Sequence, residues 1–183
     1  MDITVEADEP GRELPADLVD IRDPAGFEHA YERYRLQVYR YLRARVVHDE
    51  DALDLTATTF ERAFAKRASF HPRDGGLGAW LFRIARNAAI DAQRRTRGDV
   101  HSAPPALMDH LALAGNRDEE ARREVVDAVA ALPPDQRDMV WLRYAGGLTA
   151  REIGAVVGKS EAAVQKQIQR ALGALREELD ELD

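Results

Sequence analysis

Gln165, Lys166, Gln169 and Arg170 are side chains of the types that read DNA bases, and their spacing brings them to one face of a helix within two turns. Glutamine can pair bidentately with adenine, and arginine or lysine with guanine, in the major groove. A second group, Trp80, Arg83, Asn87, Asp91 and Arg94, recurs at helical steps, with Arg86, Arg95 and Arg97 nearby. An aromatic, an amide and several guanidiniums on one surface suit single-stranded DNA, where bases stack on rings and phosphates meet cations. Taken alone this second group has a plainer reading, with Trp80 in a core and the arginines on a solvated edge. A third group is acidic: Asp51, Asp54, Thr58 and Glu61 share a helical face, with Asp49 and Glu50 at its start. Paired carboxylates can do acid–base chemistry, or bind a metal with His48. Without a pocket or a glycine-rich phosphate loop they fit better as a solvated face that docks a basic partner. His29, His71, His101 and His110 are scattered and form no ligand cluster, and cysteine is absent, which excludes disulfides, thiolate nucleophiles and cysteine-ligated metal sites. No catalytic residue, metal or cofactor is expected.

Helices must position these groups. Phe27, Tyr31, Tyr34, Val38, Tyr41 and Leu42 recur at three- and four-residue steps and predict one long helix to near Val47. A second helix is expected from Asp49 to about Ala68, its acidic start favoured by the macrodipole and its apolar face made by Leu53, Ala57, Phe60 and Phe64. "SFHPRDGGLG", Ser69 to Gly78, reads as a loop, and a third helix from Leu77 to about Arg97 buries Leu77, Leu81, Ile84 and Ala88. "GDVHSAPPALMDHLALAGN" reads as a linker with at most one helical turn around Leu107 to Leu113. Beyond it, helices are expected at about Arg117 to Leu132, Pro134 to Ala145, Thr149 to Val157 and Ser160 to Leu179. Thr149 and Glu152 have capping-box spacing, Gly158 permits a sharp turn, and Ser160 can cap the last helix. Ile153, Val156 and Val157 then face inward against Val164, Ile168, Ala171, Leu172 and Leu175, which is a helix-turn-helix pattern. The fold class is all-α: two small helical domains on a flexible tether, with an arm at 1–22, a first module at 23–98, a linker at 99–116 and a second module at 117–183.

Charge is distributed unevenly. The formal net charge is -7, and the first twenty residues hold Asp2, Glu6, Asp8, Glu9, Glu13, Asp17 and Asp20 against Arg12 alone. With no apolar period, this segment reads as a disordered acidic arm. The remainder is close to neutral, so attraction for phosphate is weak overall. No apolar run approaches the roughly 18 residues of a membrane span, and the start does not read as a signal peptide. A soluble cytoplasmic protein is expected.

Together the segments resemble the extracytoplasmic-function (group IV) sigma factors, the small two-domain class of bacterial transcription initiation factors. "DALDLTATTFERAFAKRASF" looks like the family's second-region helix, "GAWLFRIARNAAIDAQRRTR" is similar to its promoter-melting helix, and "LPPDQRDMVWLRYAGGLTAREIGAVVGKSEAAVQKQIQRAL" is similar to its final, fourth region. The resemblance covers about Phe27 to Leu179. It implies a non-catalytic factor that binds core RNA polymerase, at the β′ clamp and β subunits, and directs initiation at promoter DNA. Asp49, Glu50, Asp51, Asp54, Thr58 and Glu61 would dock on the clamp. Phe70, His71 and Arg73 in the loop, with Trp80, Arg83, Asn87, Asp91 and Arg94, would capture bases of the −10 element. Ser160, Gln165, Lys166, Gln169 and Arg170 would read the −35 element. An anti-sigma factor is an implied partner, and a monomer is the implied free state.

The chain departs from the family where Leu53 replaces an acidic residue and Ala57-Thr58 a Gln-Glu pair, and where Ala162, Gln165 and Gln167 stand at positions more often glycine or basic. Thr56, Thr58 and Thr59 are candidate phosphorylation sites that would add negative charge to the docking face. Two rival readings are a dimeric helix-turn-helix regulator acting without polymerase, and an interaction module that has lost DNA reading. The first would need a dimer interface, for which no spare apolar stripe is evident. Arg83, Asn87, Lys166 and Arg170 argue against the second.

Overall fold

A computed structural model describes residues 20–46, 48–72, 75–95 and 127–180, with side chains described up to residue 177. The linker and most of the acidic arm lie outside the described residues. Those described contain helices and turns and no strand.

The first half is built on α1 (Pro24–Arg43), α2 (Asp49–Lys66) and α3 (Gly76–Arg95). Pro24 suits the first turn of α1, where its missing N–H leaves no bond unmade, and Arg40 and Arg43 in the last turn complement the helix dipole. Along α1 the buried positions are Ala30, Tyr34, Val38, Tyr41 and Leu42, whereas Tyr31 stays 43% exposed at the edge of the expected stripe. On α2 the apolar face differs from that expected. Phe60 is buried, but Leu53, Ala57 and Phe64 are exposed, and the helix instead packs through Ala52, Leu55, Thr59 and Ala63. The physical reason is size: alanines let helices approach closely, and Thr59 can be buried because its hydroxyl donates to the Leu55 carbonyl at 2.7 Å. Thr59 is therefore no accessible phosphorylation site. A 3-10 turn, Arg67–Ser69, ends α2.

Ile21 corrects the reach of the acidic arm. It is 1% exposed in the core, and Arg22 donates to the Phe70 carbonyl at 3.3 Å, so the folded region begins inside the stretch expected to be solvated. The local acidic composition concealed one apolar anchor.

In the second half, helical residues 127–131 precede α4 (Pro134–Tyr144), α5 (Ala150–Val157) and α6 (Glu161–Asp180). α4 ends in a turn in which the Leu148 N–H reaches back to the Leu142 carbonyl at 3.1 Å and Gly147 takes a φ of 71°. The two halves are in contact. α3 packs against α5, and one apolar cluster runs from Ile21 through Phe82 to Leu142, Ile153 and Ala171. Phe82 and Gly146 fit closely enough that a Cβ at Gly146 would stand 2.7 Å from the Phe82 ring.

Candidate nucleic-acid interface

The α5–turn–α6 unit is held by local hydrogen bonds that its sequence specifies. The Thr149 hydroxyl accepts from the Glu152 N–H at 3.3 Å, and the Glu152 carboxylate accepts from the Thr149 N–H at 2.8 Å, so both orphan donors of the helix start are paired. Gly158, at φ 73°, ends α5 in the left-handed region with its N–H on the Gly154 carbonyl at 2.8 Å. Ser160 then accepts the Ala163 N–H at 3.3 Å at the start of α6. Gly154, not singled out in the sequence, is equally necessary: a Cβ there would lie 2.5 Å from the Lys159 carbonyl oxygen.

This geometry turns α6 so that Val164 and Ala171 are fully buried while Glu161, Gln165, Lys166, Gln169 and Arg170 are exposed. Gln165 donates weakly to Glu161 at 3.4 Å, and Lys159 is occupied by Asp135 and Gln167, each at 3.3 Å. The expected base-reading side chains thus share one solvent face on a rigid support.

On α3, Asn87, Asp91 and Arg94 form an exposed edge, and Asp91 pairs with Arg62 of α2 at 3.3 Å. The aromatic platform expected there is not at the surface. Trp80 and Phe70 are each 8% exposed and pack on one another with ring centroids 5.3 Å apart, because both rings close the base of the α2–α3 junction. Arg83 is half-buried and donates to the Ala155 carbonyl of α5 at 2.8 Å. His71 is exposed, with Nδ1 2.9 Å from the Ser69 carbonyl oxygen. Arg73 lies outside the described residues.

The acidic face of α2 is brought together as expected. Asp49, Glu50, Asp51, Asp54 and Glu61 are exposed and Thr58 is half-buried. Asp49 is additionally tied to α1 by the Tyr39 hydroxyl and by Arg43 at 3.4 Å. Leu53, 52% exposed, sits among these carboxylates, so the face combines acid with an apolar centre. Among the described residues no group of three His, Asp or Glu side chains could hold a metal ion.

A helix-turn-helix behind a three-helix unit with an acidic outer face defines a two-module DNA-binding protein of the transcription machinery. Residues 30–98 match the family Sigma-70 region 2 and residues 122–175 match Sigma-70, region 4. RNA polymerase sigma factor CarQ of Myxococcus xanthus is 34% identical over 159 residues, 86% of this chain and 91% of CarQ. The ECF RNA polymerase sigma factor RpoE of Cereibacter sphaeroides is 29% identical over 168 residues, 87% of this chain and 90% of that protein. ECF RNA polymerase sigma factor BldN of Streptomyces coelicolor is 32% identical over 154 residues; the match covers 81% of this chain but 58% of BldN's length. The solved structure of CnrH in complex with the cytosolic domain of CnrY superposes with a TM-score of 0.66 at 26% identity, covering 90% of this chain and 94% of CnrH. This chain belongs to the extracytoplasmic-function RNA polymerase sigma factors.

Proposed function

We propose that this chain joins core RNA polymerase through α2 and directs initiation at promoters carrying a −10 and a −35 element. The observation that carries the reading is the pairing, on one chain and in the family's order, of an acidic helix with an exposed leucine and a capped helix-turn-helix with an exposed Gln/Lys/Arg face. Asp51, Asp54, Glu61 and Leu53 meet the β′ clamp, with further contact to β. His71, Arg73, Arg83, Asn87, Asp91 and Arg94 serve the −10 element, while the buried Phe70 and Trp80 brace the loop that presents His71. Gln165, Lys166, Gln169 and Arg170 read the −35 duplex, with Ser160 at the start of their helix. Capturing an unstacked base costs a few kcal/mol, which contacts in the protein offset, and each misread base costs about 1–3 kcal/mol. Trapped single strand then drives opening, and the chemistry belongs to the polymerase.

With a formal charge of -7 the chain gains little from nonspecific attraction to phosphate. Attachment to polymerase converts two modest contacts into an effectively intramolecular pair. The working place is the cytoplasm, where the polymerase is, and none of the helices described is long and apolar enough to cross a membrane. Regulation by an anti-sigma factor belongs to the same proposal, since CnrH was solved bound to a second protein's cytosolic domain. Run-off transcription with purified core polymerase on a promoter library tests the reading: discrete transcripts that depend on this chain are expected. Their absence across the library, with the polymerase active on another sigma factor, would overturn it.

A further inference from the structure

The two DNA-reading halves face each other across an interface that has a charged centre. Asp138 of α4 is 5% exposed, and all of its printed partners come from the other half. Its Oδ1 accepts from the Tyr41 hydroxyl at 2.9 Å and from the Arg45 guanidinium, and its Oδ2 accepts from Arg86 Nε at 2.6 Å. The Arg45 guanidinium also lies over the Trp141 ring, 5.6 Å from the centroid. A few residues away, Arg83 donates to Ala155 in the helix-turn-helix, and Gly75 approaches α5 so closely that a Cβ on it would stand 2.4 Å from the Ala155 Cβ.

We infer that this interface is an autoinhibitory clasp, which must open before the chain can engage a promoter. The inference rests on the sigma-factor reading of α3 and α6. The labels −10 and −35 put the two elements about 25 base pairs apart, about 85 Å of duplex at 3.4 Å per step. A compact chain of this length has a radius of gyration of about 16 Å, so with α3 seated on α5 the two reading surfaces cannot span that distance. Closure also occupies cations: Arg83 on the proposed −10 face and its neighbour Arg86 are committed to the second half.

The interface is built to be reversible. A buried ion pair gives specific registry with little net stability, because desolvation opposes the attraction. Arg45 Nε and Trp141 Nε1 are buried without a hydrogen-bond partner, and opening returns both to water. The closed form is therefore one of two nearby states, and a polymerase that binds the halves apart shifts the population to the open one.

Two full-length variants test this by independent routes. Asp138→Asn removes the central charge. Ala155→Tyr wedges the α3–α5 contact while sparing Ile153, Gly154 and Val156, which form the buried face of α5. Small-angle scattering should show a larger radius of gyration for both, with helix content by circular dichroism retained. Binding to an oligothymidine single strand should tighten, and its dependence on salt should steepen by about 1.4 in log–log slope as two cations are released, at about 0.7 per cation. Wild-type dimensions and slope in folded variants would overturn the clasp, as would a wild-type chain already as expanded as they are. Should Asp138→Asn unfold, Ala155→Tyr decides alone. Scattering involves no polymerase, so failure here is distinct from failure of the run-off assay.

Discussion

Tyr41 shows how a single side chain can report on the contact between the halves. Its ring is fully buried against Phe82, and its hydroxyl donates to Asp138 across the interface. Burial foremost, and the Asp138 carboxylate with it, pushes the phenol well above its ordinary pKa of 10.0, against the opposing pull of Arg45 and Arg86. Burial would lower Arg45, but Tyr41 and Asp138 outweigh it and leave that guanidinium more firmly protonated than usual. Arg137, over the far side of Trp141, is lowered by burial and by the Arg45 charge. When the halves part, the Tyr41 phenol returns to water and to a pKa near 10.0. Below that pH the phenol is neutral in both forms and contributes no pH dependence. Above it the open form gains by ionising and the closed form does not, so closure weakens as pH rises past about 10. Scattering followed upward from neutral pH should show constant dimensions until that point and expansion beyond it. Expansion already complete by about pH 8 would mean that another group controls the contact.

At the scale of elements, α2 combines a packing face of small residues with an outer face of carboxylates around Leu53. An exposed leucine contributes little to folding, whereas at the centre of an interface it is the kind of apolar anchor that carries affinity. Leu53→Ser should therefore leave thermal stability within about 0.5 kcal/mol of wild type and weaken binding to core polymerase measurably in a competition assay. Unchanged polymerase binding together with lost stability would show Leu53 to be a packing residue. The two faces also show what was legible in the sequence. The helix-turn-helix was, down to its cap, because Thr149, Glu152, Gly158 and Ser160 act within a few residues of one another. The inward face of α2 was not, because Ala52, Thr59 and Ala63 are chosen by the closeness of neighbouring helices, not by hydrophobicity. Trp80 was misjudged for a related reason: a tryptophan at helical spacing beside arginines looks the same whether its ring faces bases or Phe70.

For the whole molecule, the decisive contacts join distant parts of the chain. Tyr41 and Asp138 are 97 residues apart, and no periodicity connects them. The halves were each visible in the sequence, yet their mutual masking was not. Masking and acidity act in the same direction: the closed chain commits Arg83 and Arg86 internally, and its net charge of -7 opposes phosphate at long range. Both effects make the free protein a poor DNA binder and leave promoter grip to the assembly with polymerase. The most direct measurement is the affinity for one promoter fragment, selected by the holoenzyme, of the free chain and of the chain bound to core polymerase at the same salt. The account predicts tight, sequence-specific binding by the holoenzyme and little discrimination between promoter and random DNA by the free chain. Equally tight and equally specific binding by the free chain would contradict it.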